Sequence, residues 1–170
     1  MVDGHMSAAD ESAVAGVRQR VADLFAEAGV DFSPHEHEPV LDYETAAAVR
    51  ERFGLTGTET KSLFLRGKSG RYAMFVSVEG RRLDTARARA ALGEKFSIAS
   101  GEELRSVTGC VPGCAVPFGL PPQVTLLLDS AVGQERWLIF SPGPPTETIE
   151  VEASDWAALV SKTGNPLVKY

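Results

Sequence analysis

The sequence predicts an α/β protein with a mixed sheet, and three patterns support this prediction. Apolar residues recur at three- and four-residue spacing near the N-terminus, as in an amphipathic helix. Two β-rich runs, KSLFLR and RYAMFVSV, flank the turn sequence GKSG and predict a hairpin. Later strands are short and are separated by helices, which favours a mixed sheet over a purely parallel one.

The helices follow from periodicity and from capping residues. Val14, Val17 and Val21 share one face of the first helix, which Gly29 ends. Ser100 and Glu103 form a capping-box pattern at the start of a later helix. Helices are predicted over residues 10–28, 43–53, 84–92 and 101–107 and from residue 154 onward. Strands or extended segments are predicted over residues 31–38, 61–66, 71–78, 95–99, 123–128, 136–140 and 146–151.

The composition is that of a soluble globular protein, with 44% hydrophobic and 24% charged residues in a chain of 170. Residues 1–6, with His5, have the character of a cloning remnant, and residues 7–170 are predicted to form a single domain. No apolar run approaches the ~20 residues of a membrane span, so we expect no membrane contact. Two cysteines suit a reducing compartment, which predicts a cytoplasmic protein.

Positive charge is concentrated in one part of an acidic chain. Residues 61–95 contain nine basic and three acidic side chains, whereas the whole chain carries a net charge of −6. The net negative charge argues against a protein that coats nucleic acid nonspecifically. The single basic region suits a partner whose phosphates contact a small area of the protein surface. A solvated helix and hairpin that happen to be basic explain it equally well.

Several motifs of catalytic or metal sites are absent from the sequence or incomplete in it. The GKS sequence at residues 67–69 lacks the glycine that a phosphate-binding loop needs at position 62. There is no GxSxG elbow. His35 and His37 would share one face of a strand, but no further ligand has a diagnostic spacing, so ordinary histidines are favoured over a metal site. Cys110 and Cys114 are four residues apart in a Gly/Pro loop, which favours buried free thiols.

Lys61 stands apart from the other basic residues because it opens an apolar strand. Its ammonium could lie in solvent beyond the strand end. Alternatively, it could sit at the mouth of a pocket, where a desolvated positive charge binds a phosphate or a developing oxyanion. Position alone favours the solvent-exposed lysine and leaves the pocket interpretation open.

Taken together, four stretches resemble the YbaK/ProX family of aminoacyl-tRNA deacylases, the free-standing relatives of the editing domain of bacterial prolyl-tRNA synthetases. They are TKSLFL, RRLDTARARAALG, SIASGEEL and TGCVPGCAVPFG. The resemblance covers residues 20–160 approximately. It implies a compact fold with a mixed, barrel-like sheet, and hydrolysis of the ester that joins a wrong amino acid to the tRNA 3′ end. It implies no cofactor and no metal.

The resemblance also implies roles for individual residues. Lys61 matches a lysine that the family requires for activity and that engages the terminal nucleotide. Gly113 begins the GxxxP loop, whose backbone amides are expected to bind the carbonyl oxygen. Further substrate-binding residues are expected at Ser62, Cys114, Ala115, Val116, Pro117, Phe118, Ser141 and His37.

Two departures from the family bear on the substrate. Ser62 and Ser141 stand where alanine-directed members have Asn and His. The resemblance therefore specifies the reaction more closely than the amino acid. We expect tRNA-Pro carrying alanine or another small amino acid, bound through the tRNA acceptor end, and a prolyl-tRNA synthetase is a candidate partner. One alternative is a module that binds a tRNA end or small ligand without hydrolysis and so could regulate a synthetase. The other is a hydrolase of another small ester or amide.

Overall fold

The computed structural model describes residues 6–170; the interpretation of residues 1–6 as a cloning remnant falls almost entirely outside this part. The helices are α1 (Ala8–Ala28), α2 (Tyr43–Phe53), α3 (Thr85–Leu92), α4 (Gly101–Thr108) and α5 (Ala153–Lys162), with a 3₁₀ turn at Val132–Gln134. The strands are β1 (His35–Glu36), β2 (Thr58–Gly67), β3 (Tyr72–Val78), β4 (Phe96–Ile98), β5 (Thr125–Leu128), β6 (Trp137–Phe140), β7 (Glu147–Glu152) and β8 (Leu167–Lys169). Every helix within residues 6–170 is too short or too polar to span a membrane.

The strands form one mixed sheet in the order β1-β7-β6-β2-β3-β5-β8, with β4 paired to β2. β2 pairs in parallel with β6 and antiparallel with β3 and β4. β5 joins β3 and β8 in parallel. The predicted fold class, α/β with a mixed sheet, is thus confirmed.

Most predicted elements are confirmed, and the differences are local. The first helix starts two residues earlier than predicted because Ser7 and Asp10 form a capping box. Of the extended segment predicted over residues 31–38, His35–Glu36 alone forms a strand, paired with β7. No sequence pattern predicts β8: it has three residues, and it is held by backbone pairing with β5 rather than by an apolar pattern of its own.

The sheet is covered on both faces, and two apolar cores result. β3 is buried from Ala73 to Val78, as expected of a strand packed on both sides. Met74 and Val76 belong to the larger core with α1 and α5, whereas Ala73 and Phe75 belong to a smaller core with α3. The larger core contains an aromatic cluster of Phe118, Phe140 and Trp156, with ring centroids 4.9–5.6 Å apart.

The apolar loop over residues 109–119 lies between this core and α1. Gly119 has a φ of 74°, and a Cβ there would meet Val21 Cγ2 at 2.8 Å and Val17 O at 3.0 Å. Arg20 Nε donates a 2.8 Å hydrogen bond to Gly119 O. The loop therefore approaches the helix closely at a position where glycine is needed both for its φ and for the missing side chain.

Substituting this glycine tests the close approach. Gly119→Ala combines a left-handed backbone, which costs about 1–2 kcal/mol, with overpacking against α1, which costs about 1–3 kcal/mol. Gly164 has a similar φ of 71°, but no atom lies within 4 Å of the position that a Cβ would take, so Gly164→Ala carries the backbone cost alone. Urea denaturation should show a loss of about 2–5 kcal/mol for Gly119→Ala and about 1–2 kcal/mol for Gly164→Ala. Equal losses would contradict the close packing.

Candidate active site

A cavity of about 640 Å³ opens beside β2. Its walls come from residues 59–64 of β2, from the segment that leads into α2, from the start of α4, from loop residues 112–115, and from the connection between β6 and β7. Among the residues described, Lys61 is the one basic side chain in the lining, and Asp42, Glu59 and Glu147 are the acidic ones. The cavity combines a largely apolar wall with a few charged groups, as small-molecule sites do.

Six residues expected at the site from sequence come together in this lining. They are Lys61, Ser62, Gly113, Cys114, Ala115 and Ser141. The other expected loop residues lie elsewhere: Val116, Pro117 and Phe118 are buried, and Phe118 packs in the aromatic cluster. The physical reason is their apolar character, which draws them into the main core, so they support the cavity wall from behind.

The wall at residues 111–114 is a tight turn. Cys114 N donates to Val111 O at 2.8 Å, Pro112 occupies the second position, and Gly113 has a φ of 87° in the third. This is the geometry of a type II turn, which needs φ > 0 at its third residue. The amides of Gly113 and Ala115 donate no hydrogen bond to any residue from 6 to 170. Two residues of the cavity wall therefore carry backbone N–H groups with no acceptor among the described residues.

The ammonium of Lys61 is held at the edge of the cavity by a backbone carbonyl. Lys61 Nζ donates to Arg81 O at 2.8 Å. Arg81 is fixed in turn, because its Nε donates to Asp129 Oδ2 at 2.9 Å, and Ser77 Oγ donates to the same oxygen at 2.7 Å. Burial raises the pKa of Asp129, but the hydrogen bonds from Ala131, Ser77 and Arg81 outweigh it and lower the pKa overall. A charged carboxylate thus anchors the turn that positions Lys61.

The lining contains three serines, which differ in their hydrogen bonding. Ser100 caps α4, and its Oγ accepts a 3.1 Å hydrogen bond from Glu103 N. Ser141 Oγ donates to Pro144 O at 2.7 Å and accepts from Gly143 N at 3.1 Å, so its hydroxyl closes the turn between β6 and β7. Ser62 Oγ is buried and has no partner within residues 6–170. Because an unpaired buried hydroxyl is costly, Ser62 is the serine available to a ligand.

The cysteines are free and buried, as predicted. Burial raises the pKa of Cys110, and it raises the pKa of Cys114 to about 11 even though a hydrogen bond with Ser141 opposes the shift. Thiols with raised pKa values are poor nucleophiles near neutral pH. Cys114 therefore acts as an apolar part of the cavity wall.

His37 lies behind the cavity and does not line it. Its Nδ1 donates to Glu38 O at 2.6 Å, and its Nε2 lies 2.7 Å from Thr148 Oγ1. Thr148 is part of the lining, so His37 reaches the site through this hydroxyl. Both ring nitrogens are engaged, and no cluster of three or more His, Cys, Asp or Glu side chains suited to a metal occurs in the described part of the chain.

Glu59 lines the cavity, although no sequence pattern indicates it. Its side chain is 15% exposed, and Arg50 Nη1 lies 3.7 Å from its carboxylate. Burial raises the pKa of Glu59 to about 7; Arg50 lowers it, and the nearby carboxylate of Glu79 raises it. A carboxyl group that titrates near neutral pH in a cavity is typical of a functional site.

The cavity rim is unusually apolar for a surface. Leu41, Tyr43 and Ile98 belong to the lining and are 48%, 50% and 65% exposed, respectively. Leu41 also lies over the loop turn, 3.5 Å from where a Cβ of Gly113 would be. Such a rim offers contact area to a flat, partly apolar group at the entrance.

The raised pKa of Glu59 makes stability depend on pH in a defined way. Its pKa in the folded state, about 7, exceeds its ordinary value of 4.5, so the folded state binds the proton more tightly. Wild-type stability should then fall as pH rises from 4.5 to 7, by up to about 3 kcal/mol from this group. Glu59→Gln removes this titration. The free energy of unfolding of the variant, relative to wild type, should therefore increase as pH rises from 4.5 to 7.

The measurement is urea denaturation of wild type and Glu59→Gln at pH 4.5 and pH 8. Glu79→Gln is the control, because Glu79 contacts the same arginine but is 36% exposed. A stability difference for Glu59→Gln that is the same at both pH values would contradict a raised pKa.

Solved structures share this fold. The hypothetical protein APE2540 superposes with a TM-score of 0.74 at 21% identity, covering 87% of this chain and 96% of that chain. A proposed trans-editing enzyme for prolyl tRNA synthetase superposes with a TM-score of 0.69 at 23% identity, covering 89% and 94%. At these identities, the likeness concerns the fold.

Sequence comparison identifies the family. The multifunctional Ser/Thr-tRNA deacylase ProXp-y of Escherichia coli (strain K12) is 25% identical over 144 residues, which cover 81% of this chain and 84% of the relative. Residues 37–159 match the aminoacyl-tRNA editing domain, and this range contains β2, the turn at residues 111–114 and the whole cavity lining. The chain therefore belongs to the aminoacyl-tRNA editing domain family and is a deacylase of the YbaK/ProX type, a hydrolase acting on an ester bond.

Proposed function

We propose that this protein is a trans-editing enzyme that removes a small amino acid, alanine or another of similar size, from mischarged tRNA-Pro. One observation carries the proposal: Lys61, Ser62, Gly113 and Ala115 line a single cavity, and the amides of Gly113 and Ala115 have no acceptor among the described residues. Lys61 supplies a cation for a phosphate or ribose, Ser62 supplies a hydroxyl without a partner, and the two amides supply hydrogen-bond donors for an oxyanion. The relative named as a Ser/Thr-tRNA deacylase supports a small amino acid.

The proposed reaction is hydrolysis without a protein nucleophile. A water oxygen attacks the carbonyl carbon, and the amides of Gly113 and Ala115 stabilise the oxyanion that forms. The bond between the carbonyl carbon and the ribose oxygen then breaks, and the ribose oxygen takes up a proton in place of the one that the water gives up. The products are a free amino acid and the tRNA hydroxyl. The neighbouring ribose hydroxyl helps to position the water. Because the amide of Cys114 is used in the turn, it takes no part.

Ser62 bears on which amino acid is accepted. Its buried hydroxyl can exchange a hydrogen bond with the hydroxyl of serine or threonine, whereas alanine leaves it unpaired. The apolar side of the cavity at Cys114 discriminates by size, and one methylene changes the preference by only ~1–3 kcal/mol. Serine and threonine are therefore strong candidates beside alanine.

The arginines after β3 support a tRNA as the carrier of the ester. Arg82 and Arg89 are exposed, and neither has an ion-pair partner in the part of the chain that the structure describes. Arg82 directly follows the residue whose carbonyl holds Lys61. These arginines could thus contact phosphates of an acceptor stem next to the cavity mouth. A hydrolase of a small neutral ester would have no use for these charges.

Lys61→Ala tests the reaction and the substrate together. Wild type and variant would be incubated with tRNA-Pro charged with Ala, Ser, Thr, Cys or Pro, and the loss of charged tRNA would be followed. We expect wild type to deacylate at least one small amino acid, and Lys61→Ala to lower kcat/KM by about 100-fold or more. Lys162→Ala, at the far end of α5, removes the same charge outside the cavity and should keep wild-type activity.

Two outcomes of this assay would contradict the proposal. Wild-type turnover by Lys61→Ala would remove the central residue from the mechanism. Binding of charged tRNA without any deacylation above background would favour the alternative, a non-catalytic module.

The salt dependence of kcat/KM tests the tRNA contact. Each phosphate contact adds about 0.7–0.9 to the slope of log affinity against log salt concentration. The double variant Arg82→Ala/Arg89→Ala should therefore lose activity on charged tRNA at low salt and show a slope reduced by about 1–2. Its activity on a small aminoacyl ester such as alanine ethyl ester should be unchanged. An unaltered slope with tRNA would place the acceptor stem elsewhere.

A further inference from the structure

The three carboxylates of the cavity lining differ in how many hydrogen bonds and ion pairs offset their negative charge. Asp42 caps α2 and accepts a 2.7 Å hydrogen bond from Thr45 N. Glu147 accepts two hydrogen bonds from Arg18, at 2.6 and 2.8 Å. The Glu59 carboxylate has one ion-pair contact, at 3.7 Å, and its oxygens accept no hydrogen bond from any residue between 6 and 170. It is thus the carboxylate of the lining with acceptor capacity left for a ligand.

The arginine beside Glu59 does not neutralise the site. Arg50 Nη1 lies 3.3 Å from a carboxylate oxygen of Glu79, which is closer than its 3.7 Å contact with Glu59. One guanidinium is therefore shared by two carboxylates, and the group of three carries a net negative charge when both are ionised. Since the Glu59 side chain is only 15% exposed, water compensates that charge poorly. A cation in the cavity would supply the missing partner.

Glu59 faces the same space as the proposed oxyanion wall. Its negative charge contributes to the raised pKa of the Cys114 thiol, which lies between the amides of Gly113 and Ala115. Glu59 and Lys61 are two residues apart on β2, so their Cα atoms are about 7 Å apart. An ester whose carbonyl oxygen meets the loop amides would hold its α-carbon within reach of this strand.

The substrate of a deacylase carries a cation at that α-carbon. An aminoacyl ester has a free ammonium on the carbon next to the scissile carbonyl, whereas an N-acylated ester, such as that of peptidyl-tRNA, has a neutral amide there. The ammonium would pair with a buried carboxylate. The amide would leave that carboxylate unpaired, which is the situation in which polar sites discriminate most strongly.

We propose that Glu59 binds the α-ammonium group of the aminoacyl moiety and makes the enzyme selective for esters of free amino acids over N-acylated ones. This inference rests on the proposed function, because it assigns one more contact to the same bound ester. Glu59 is in this view a substrate-binding residue, not a base.

The test compares free and N-acetylated substrates. Alanyl-tRNA and seryl-tRNA, with their N-acetyl forms, would be incubated with wild type and Glu59→Gln, and spontaneous hydrolysis would be subtracted. Wild type should prefer the free ammonium by at least about 30-fold in kcat/KM, and Glu59→Gln should reduce this preference to about threefold or less. Glu79→Gln, which changes a carboxylate outside the lining, should retain the wild-type preference.

Binding of a non-hydrolysable analogue gives a readout independent of turnover. Calorimetry with 3′-alanylamino-3′-deoxyadenosine and its N-acetyl form should show tighter binding of the free amine to wild type and equal binding to Glu59→Gln. A thermal melt establishes that the variant is folded.

Two results would overturn the inference. The first is equal turnover of the free and N-acetylated forms by wild type. The second is an equal loss of activity on both forms in Glu59→Gln, as a general base or a structural residue would show. Either result refutes recognition of the ammonium while leaving deacylation intact. Absence of wild-type activity on every aminoacyl-tRNA would instead refute the proposed function itself.

Discussion

The geometry of the site depends on the backbone hydrogen bonding of β2. Within ten residues this strand pairs in parallel with β6 at Thr58 and Glu59, antiparallel with β3 from Thr60 to Arg66, and antiparallel with β4 at its end. The cavity lies where β2 leaves β6 and joins β3. A register slip of one residue would turn every side chain to the opposite face. Three partners therefore fix the positions of Glu59, Lys61 and Ser62.

The local signals of the sequence predict most elements, because caps and turns are chemical features of neighbouring residues. Ser100 and Glu103 form the expected capping box, and Gly54 ends α2 with a φ of 66°. β8 could not be predicted in this way, because Leu167 and Lys169 are exposed and the strand exists through pairing with β5. A three-residue edge strand of this kind is specified by its neighbour rather than by its own composition.

The candidate site residues divide in the same way. Lys61, Ser62 and Gly113 could be expected from a family resemblance, because they occur in recognisable stretches of sequence. Glu59 could not, because a glutamate in TETK has the pattern of a solvated strand end. Its side chain is 15% exposed in the folded chain, where Arg50 of α2 lies 3.7 Å from its carboxylate, and the local sequence does not specify this contact. Phe118 shows the opposite case: its loop is apolar, as a cavity wall would be, but its ring packs against Phe140 and Trp156 in the main core.

The order of charges across the site provides a physical reason for the choice of ligand. Arg82 and Arg89 lie exposed outside the cavity, Lys61 lies at its edge, and Glu59 lies in the poorly hydrated lining. The end of an aminoacyl-tRNA has the complementary order, with phosphates outside, the ribose at the entrance and an ammonium innermost. Charges in a complementary order orient a ligand as well as attract it, since the reversed orientation brings like charges together. In the proposed complex this order would direct the ester toward the amides of Gly113 and Ala115, where no strong base is needed because the bond is already activated.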